Sequence, residues 1–147
     1  MAADTGISPQ LDELSCELMG QALDRLAEGT DVNVLLVVGD SAGNAASFEF
    51  ANDGVEVCLL GARDKVRALK RAHGDAKEKL GDPCYYALCY EGAVALHGGE
   101  YSDALIMEFG EKGRPAFSAY SLFDGRGLGD EFGWTDPAPA GEVEPLL

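Results

Sequence analysis

Apolar and polar positions follow one another along this chain in two rhythms. Leu11, Leu14, Leu18, Ala22 and Leu26 recur every three or four residues, with Asp12, Glu13, Glu17, Asp24 and Glu28 between them. That period predicts an amphipathic helix. Ser8-Pro9 supplies its start, a capping hydroxyl followed by proline at the first helical position, and the helix ends near Gly29. Val32 to Val38 is then a nearly unbroken β-branched run. Such a run predicts a central strand covered on both faces. Gly39 to Asn44 carries turn chemistry, and Ala46, Phe48 and Phe50 alternate with Ser47 and Glu49. The two strands should form a hairpin.

The helical period returns at Val55, Leu59, Ala62, Val66 and Leu69, with Asp53 and Glu56 at capping-box spacing and His73-Gly74 as a stop. Asp75 to Pro83 reads as a polar linker. Three further apolar runs, Cys84–Leu96, Tyr101–Phe109 and Ala116–Phe123, are separated by short loops at 97–100 and 110–115. Connections that short allow only antiparallel neighbours. Glu91-Gly92 suggests a bulge or tight turn inside the first run. The last 24 residues contain five glycines, three prolines and six acids, and read as an irregular tail.

The fold class expected is therefore α+β. Two helices shelter one face of a mainly antiparallel five-stranded sheet, in the order α-β-β-α-β-β-β. Residues 1–123 form a single domain, and 124–147 an acidic tail rich in glycine and proline. In element order over residues 8–123 the chain resembles the Roadblock, longin and profilin-like sandwiches. That resemblance implies a platform for binding or dimerisation. It rests on no residue motif, so it brings no functional residue with it.

Charge narrows the function classes. The 147 residues include 26 acids against 11 Lys and Arg, a net charge of −15. Such a field repels nucleic acid and an anionic membrane surface, and favours solubility and cationic partners. No apolar stretch approaches the roughly 18 residues of a membrane span. Residues 1–10 lack the basic start and apolar run of a signal peptide. A cytoplasmic location is expected.

Candidate chemistry is sparse. Cys16, Cys58, Cys84 and Cys89 form no CxxC pair, and neither histidine lies at ligand spacing from a cysteine. No metal or other cofactor is expected. A hairpin would bring Cys89 and His97 together, with Asp103 or Glu108 orienting the imidazole, but no GxSxG elbow or cysteine-protease signature accompanies them. Glu91 and Glu108 lie in apolar strands. Opposite one another they would form an acid–base pair, while simple alternation places each on a solvent face. The 39–44 loop lacks the phosphate-loop pattern and precedes a strand.

The most distinctive feature is basic. Arg63, Lys65, Arg67, Lys70, Arg71, Lys77 and Lys79 stand within 17 residues, opposed only by Asp64, Asp75 and Glu78. Arg63, Arg67, Lys70 and Arg71 share one helix side, a binding patch for an acidic peptide, an anionic ligand or the chain's own tail. Cations late in a helix also complement its dipole. Tyr85, Tyr86, Tyr90, Tyr101, Phe109, Phe117, Tyr120 and Phe123 gather in the last strands as core or interface side chains. Aromatic residues do not interleave with the basic cluster, which argues against single-stranded nucleic acid. The terminal Glu142 to Leu147 matches an acidic dileucine pattern, discounted without a membrane segment. The leading expectation is a protein-interaction or regulatory module without catalysis, as a homodimer or with a protein partner. The alternative is a small enzyme using strand carboxylates or a Cys/His pair, with Tyr101 beside them.

Overall fold

A computed structural model describes residues 7–96 and 98–147. Helix α1 (Pro9–Glu28) starts as its sequence predicts. The Ser8 hydroxyl accepts the Leu11 amide at 3.2 Å, and Gly29 closes the helix in the left-handed region at φ 79°. Strands β1 (Val34–Asp40) and β2 (Ala45–Phe50) form the expected hairpin. Helix α2 (Val55–Ala72) follows, then β3 (Pro83–Ala95), β4 (Tyr101–Glu111) and β5 (Ala116–Asp124) as an antiparallel meander.

Two expectations for the sheet are corrected. It has seven strands instead of five, because residues 124–147 are not irregular throughout. They supply a 3-10 turn at Gly129–Glu131, β6 (Gly133–Trp134) and β7 (Ala138–Val143). The order is β2-β1-β3-β4-β5, with β6 and β7 following one another along the outer side of β5. The segment ends in the core, with Leu146 and Leu147 only 5% and 9% exposed. These leucines, with Val143, supply the apolar anchor that its glycine and proline content concealed.

The helices also do not share a face. Val34, Leu36 and Val38 of β1 pack with Cys58, Ala62, Val66 and Leu69 of α2. Leu35 and Val37 pack with Leu18, Ala22, Leu23 and Leu26 of α1. Every residue of β1 is buried. A continuous apolar run needs cover above and below, and one helix on each side provides it.

Smaller differences follow from local geometry. The cap of α2 is Gly54, without a side-chain bond, so the Asp53–Glu56 box is not formed. Cys58 takes the inward place expected of Val55, which is 48% exposed. Strand β3 passes Glu91-Gly92 without a bulge, in register with Leu105 and Ala104. Gly92 is small because a Cβ there would collide with the Ile106 side chain. Among the described residues, no helix is long and apolar enough to cross a membrane.

Candidate functional site

The four cations singled out on α2 part company in the structure. Arg63 reaches across to β4, where its Nε and Nη2 donate to the Glu108 carboxylate at 3.2 and 2.5 Å. Tyr90 adds its hydroxyl to the same carboxylate at 3.4 Å. The Glu108 side chain is 7% exposed, so the expectation of a solvent-facing carboxylate is corrected: α2 covers that face. The hydrogen bond to Glu108 raises the Arg63 pKa, with burial opposing it. Burial, and then Glu108, pushes the Tyr90 pKa up. Arg67 faces Asp64 at 3.3 Å and Glu144 of the C-terminal segment at 3.6 Å. Lys70 and Arg71 lie exposed beyond it. The acidic segment thus lies against the basic helix, through Glu144 and through Leu146 and Leu147 in the core beneath.

The proposed chemistry of the strands is not assembled. Leu88 stands opposite Glu108 and Leu105 opposite Glu91, an odd separation that puts the two carboxylates on opposite faces. Glu91 instead pairs with Arg126, which also holds Asp31 at 3.1 Å. Burial raises the Glu91 pKa, Arg126 opposes the shift, and Asp31 and Asp103 add to it. The Cys89 thiol is sealed on the α1 face, in the cluster with Leu18, Ala22 and Leu26, and burial pushes its pKa up to about 12. A thiol so raised is no nucleophile near neutral pH. His97 lies outside the described residues. Among the described residues no cluster of His, Cys, Asp and Glu has the makings of a metal site.

One buried carboxylate escaped sequence reasoning. Asp40 accepts the amides of Ala42, Asn44 and Gly81 and the Asn44 side-chain amide, at 2.7–3.0 Å. Burial alone would raise its pKa, but these bonds, led by Gly81, outweigh burial and hold it below the usual range. Its work is structural, tying the β1–β2 turn to the loop after α2. The signal was the turn pattern Asp-Ser-Ala-Gly-Asn, which offers amides to an aspartate.

A concavity lies on the α1 face, at the β5 end of the sheet. Helix α1 forms one wall and residues 137–141 the other. Met19, Met107, Phe109 and Phe117 line a groove of about 480 Å³. Its polar side chains are few: Asp12, the Cys16 thiol and the hydroxyls of Ser15 and Ser118. Ser15 is 8% exposed, and its Oγ has no hydrogen-bond partner among the described residues. Burial first, and Asp12 second, raises the Cys16 pKa. An apolar groove of this size with one unsatisfied hydroxyl has the makings of a binding site. The sequence concealed it because its walls come from helix positions 12–19, two strands and the C-terminal segment.

Comparison with family models, with curated proteins and with solved structures found no match to this chain.

Proposed function

We propose that this protein is a cytoplasmic protein-interaction module without catalysis, and that its docking site is the groove beside α1. The partner is a protein segment whose apolar side chains enter the groove and whose flanks are basic. The observation that carries this reading is the groove: about 480 Å³, walled by methionine and phenylalanine, in a chain of net charge −15. Flexible, polarisable Met19 and Met107 suit a surface that must fit a partner's side chains. The Ser15 hydroxyl offers one directional bond, whose absence in the free protein carries a desolvation cost. Asp12 lines the rim, and Asp136 and Glu142 adjoin residues 137–141 in sequence, so basic flanks would meet opposite charge. The alternative enzyme rests on less, with its carboxylates on opposite faces and the Cys89 thiol enclosed.

The test is a titration with a short peptide of alternating leucine and lysine, followed through the methyl resonances of Met19 and Met107. Saturable shifts at both methyls, abolished by Phe117→Glu, are expected. Methyls unmoved at millimolar peptide would overturn the reading. So would binding of decanoate in place of the peptide, which would assign the groove to a small apolar molecule.

A further inference from the structure

The groove opens beside one core of the protein, and its outer wall is anchored in the other. Met19, Met107 and Phe109 belong to the cluster under α1, whereas Leu146 and Leu147 belong to the cluster under α2. One segment joins the two. Thr135 ties its near end to β5: its amide donates to the Leu122 carbonyl at 2.9 Å, and its hydroxyl accepts the Leu122 amide at 3.0 Å. Residues 137–141 then contribute the wall of the groove. Gly141 closes that stretch at φ 121°, a bend that glycine takes without strain. Val143, Leu146 and Leu147 follow, packed into the other core.

The wall has little hold of its own. Strand β7 pairs with β5 at five positions, with a register shift between Ser118 and Ala119. Pro137 and Pro139 have no N–H to give to a neighbour. Pro139 to Glu142 are exposed. A segment with few buried apolar contacts opens far more readily than core strands do. The apolar hold lies beyond it, where Leu146 and Leu147 are 5% and 9% exposed among Val66, Leu69 and Tyr86. The Arg67–Glu144 pair adds little, because the Glu144 side chain is 82% exposed.

We infer that residues 136–147 form a strap, and that the seating of Leu146 and Leu147 beneath α2 holds the groove's wall in place on the other side of the sheet. With the leucines unseated, residues 137–141 leave β5, and the groove becomes an open surface of Met107, Phe109 and Phe117 beside α1. The consequence for binding rests on the reading of the groove as a docking site, whereas the latch is a property of the free chain. A partner that touches the wall favours the latched state. Linkage then requires that the partner steady the leucines by the same factor by which the leucines strengthen the partner. Whatever displaces the leucines weakens binding at a groove that it never touches.

The test is amide exchange and methyl spectroscopy on the full chain. In the free wild type, β7 amides should exchange at least about tenfold faster than those of β3 and β4, as a unit that opens by itself does. Leu146→Ala should speed β7 exchange by at least about tenfold, because opening unseats the leucine. The double variant Leu146→Asp, Leu147→Asp should keep native circular dichroism, shift the Met19 and Met107 methyls, and bind the leucine–lysine peptide at least about tenfold more weakly. In the wild type that peptide should slow exchange at Val143, Glu144, Leu146 and Leu147, a measurement that stands even if the double variant fails to fold. Strand β7 as protected as β3 and β4, or β7 exchange untouched by Leu146→Ala, would overturn the latch. So would methyls and affinity unchanged in the double variant, or a bound peptide that leaves residues 143–147 exchanging as before. A peptide that moves neither methyl in the wild type would sink the docking site instead, and the peptide-free measurements would still decide the latch.

Discussion

Glu108 of β4 is held from the opposite layer by Arg63 of α2, through two side-chain hydrogen bonds of 3.2 and 2.5 Å. The pair joins helix to sheet where Glu108 has almost no access to water. Removing Arg63 leaves a carboxylate without its cation, and an uncompensated buried charge is far costlier than the pair is valuable. Because Arg63 retains 30% exposure, Arg63→Ala should cost about 3 kcal/mol, the low end for breaking a buried pair. Adding Glu108→Gln should recover part of that loss. Urea unfolding of the two single variants and the double variant measures it, and additive losses would show that the two side chains are uncoupled.

Why the sequence misled at Glu108 is a question of layers. Alternation along β4 identifies two faces, but which face meets water depends on where the helices go. With both helices on one side, Glu108 would be solvated. With one helix on each side, it lies under α2. The unbroken run at Val34 to Val38 already contained that answer, since a strand apolar on both faces requires two covers. The first helix was legible to its caps because Ser8, Pro9 and Gly29 act locally. The docking of Leu146 and Leu147 and the walls of the groove were not, because they join positions distant in sequence.

Two glycines that look alike in the sequence should respond differently to alanine. A Cβ at Gly110 would stand 2.7 Å from Cε1 of Tyr86, a ring 1% exposed and unable to yield. Gly110→Ala should cost about 2 kcal/mol, as overpacking does. At Gly92 the obstacle is the far end of half-buried Ile106, which can change rotamer at a cost of no more than about 1 kcal/mol. Equal denaturation midpoints for the two variants would contradict this.

The C-terminal leucines should behave as core residues. Leu146→Ala removes buried methyl groups from the cluster around Tyr86, Val66 and Leu69, and should cost about 2–3 kcal/mol. Truncation after Val143 also removes Glu144 from Arg67, and should speed amide exchange over residues 63–72 of α2. Unchanged protection there would mean that the segment contributes nothing to holding the helix.

At alkaline pH the buried phenol sets a limit. Burial, then Glu108, pushes the Tyr86 pKa up to about 12. In the unfolded chain it ionises near 10. The folded state therefore keeps a proton that the unfolded state releases. The contribution is intact below about pH 10 and is lost as the pH rises through about 12. Tyr86→Phe should flatten the fall in stability across that interval. A fall as steep in the variant would assign the alkaline transition to other groups.

At the acid end Asp40 contributes, and the sign reverses. Gly81, Ala42 and Asn44 hold its carboxylate below the ordinary value despite burial. In the unfolded chain it takes up a proton near pH 3.9, while the folded protein resists doing so. The stabilisation is thus present above about pH 3.9 and drains away as the pH falls further, through the depressed folded value. Asp40→Asn keeps the shape but loses charge-assisted acceptors for backbone amides, and should cost about 2 kcal/mol at pH 7. Because both proteins present a neutral side chain once Asp40 is protonated, their stabilities should converge as the pH falls through that depressed folded value. Thermal unfolding of the two proteins between pH 7 and pH 2 decides the matter. Parallel curves would mean that the turn draws no stability from the charge. Convergence would identify the Asp40–Gly81 bond as the electrostatic tie between the hairpin and the loop that follows α2.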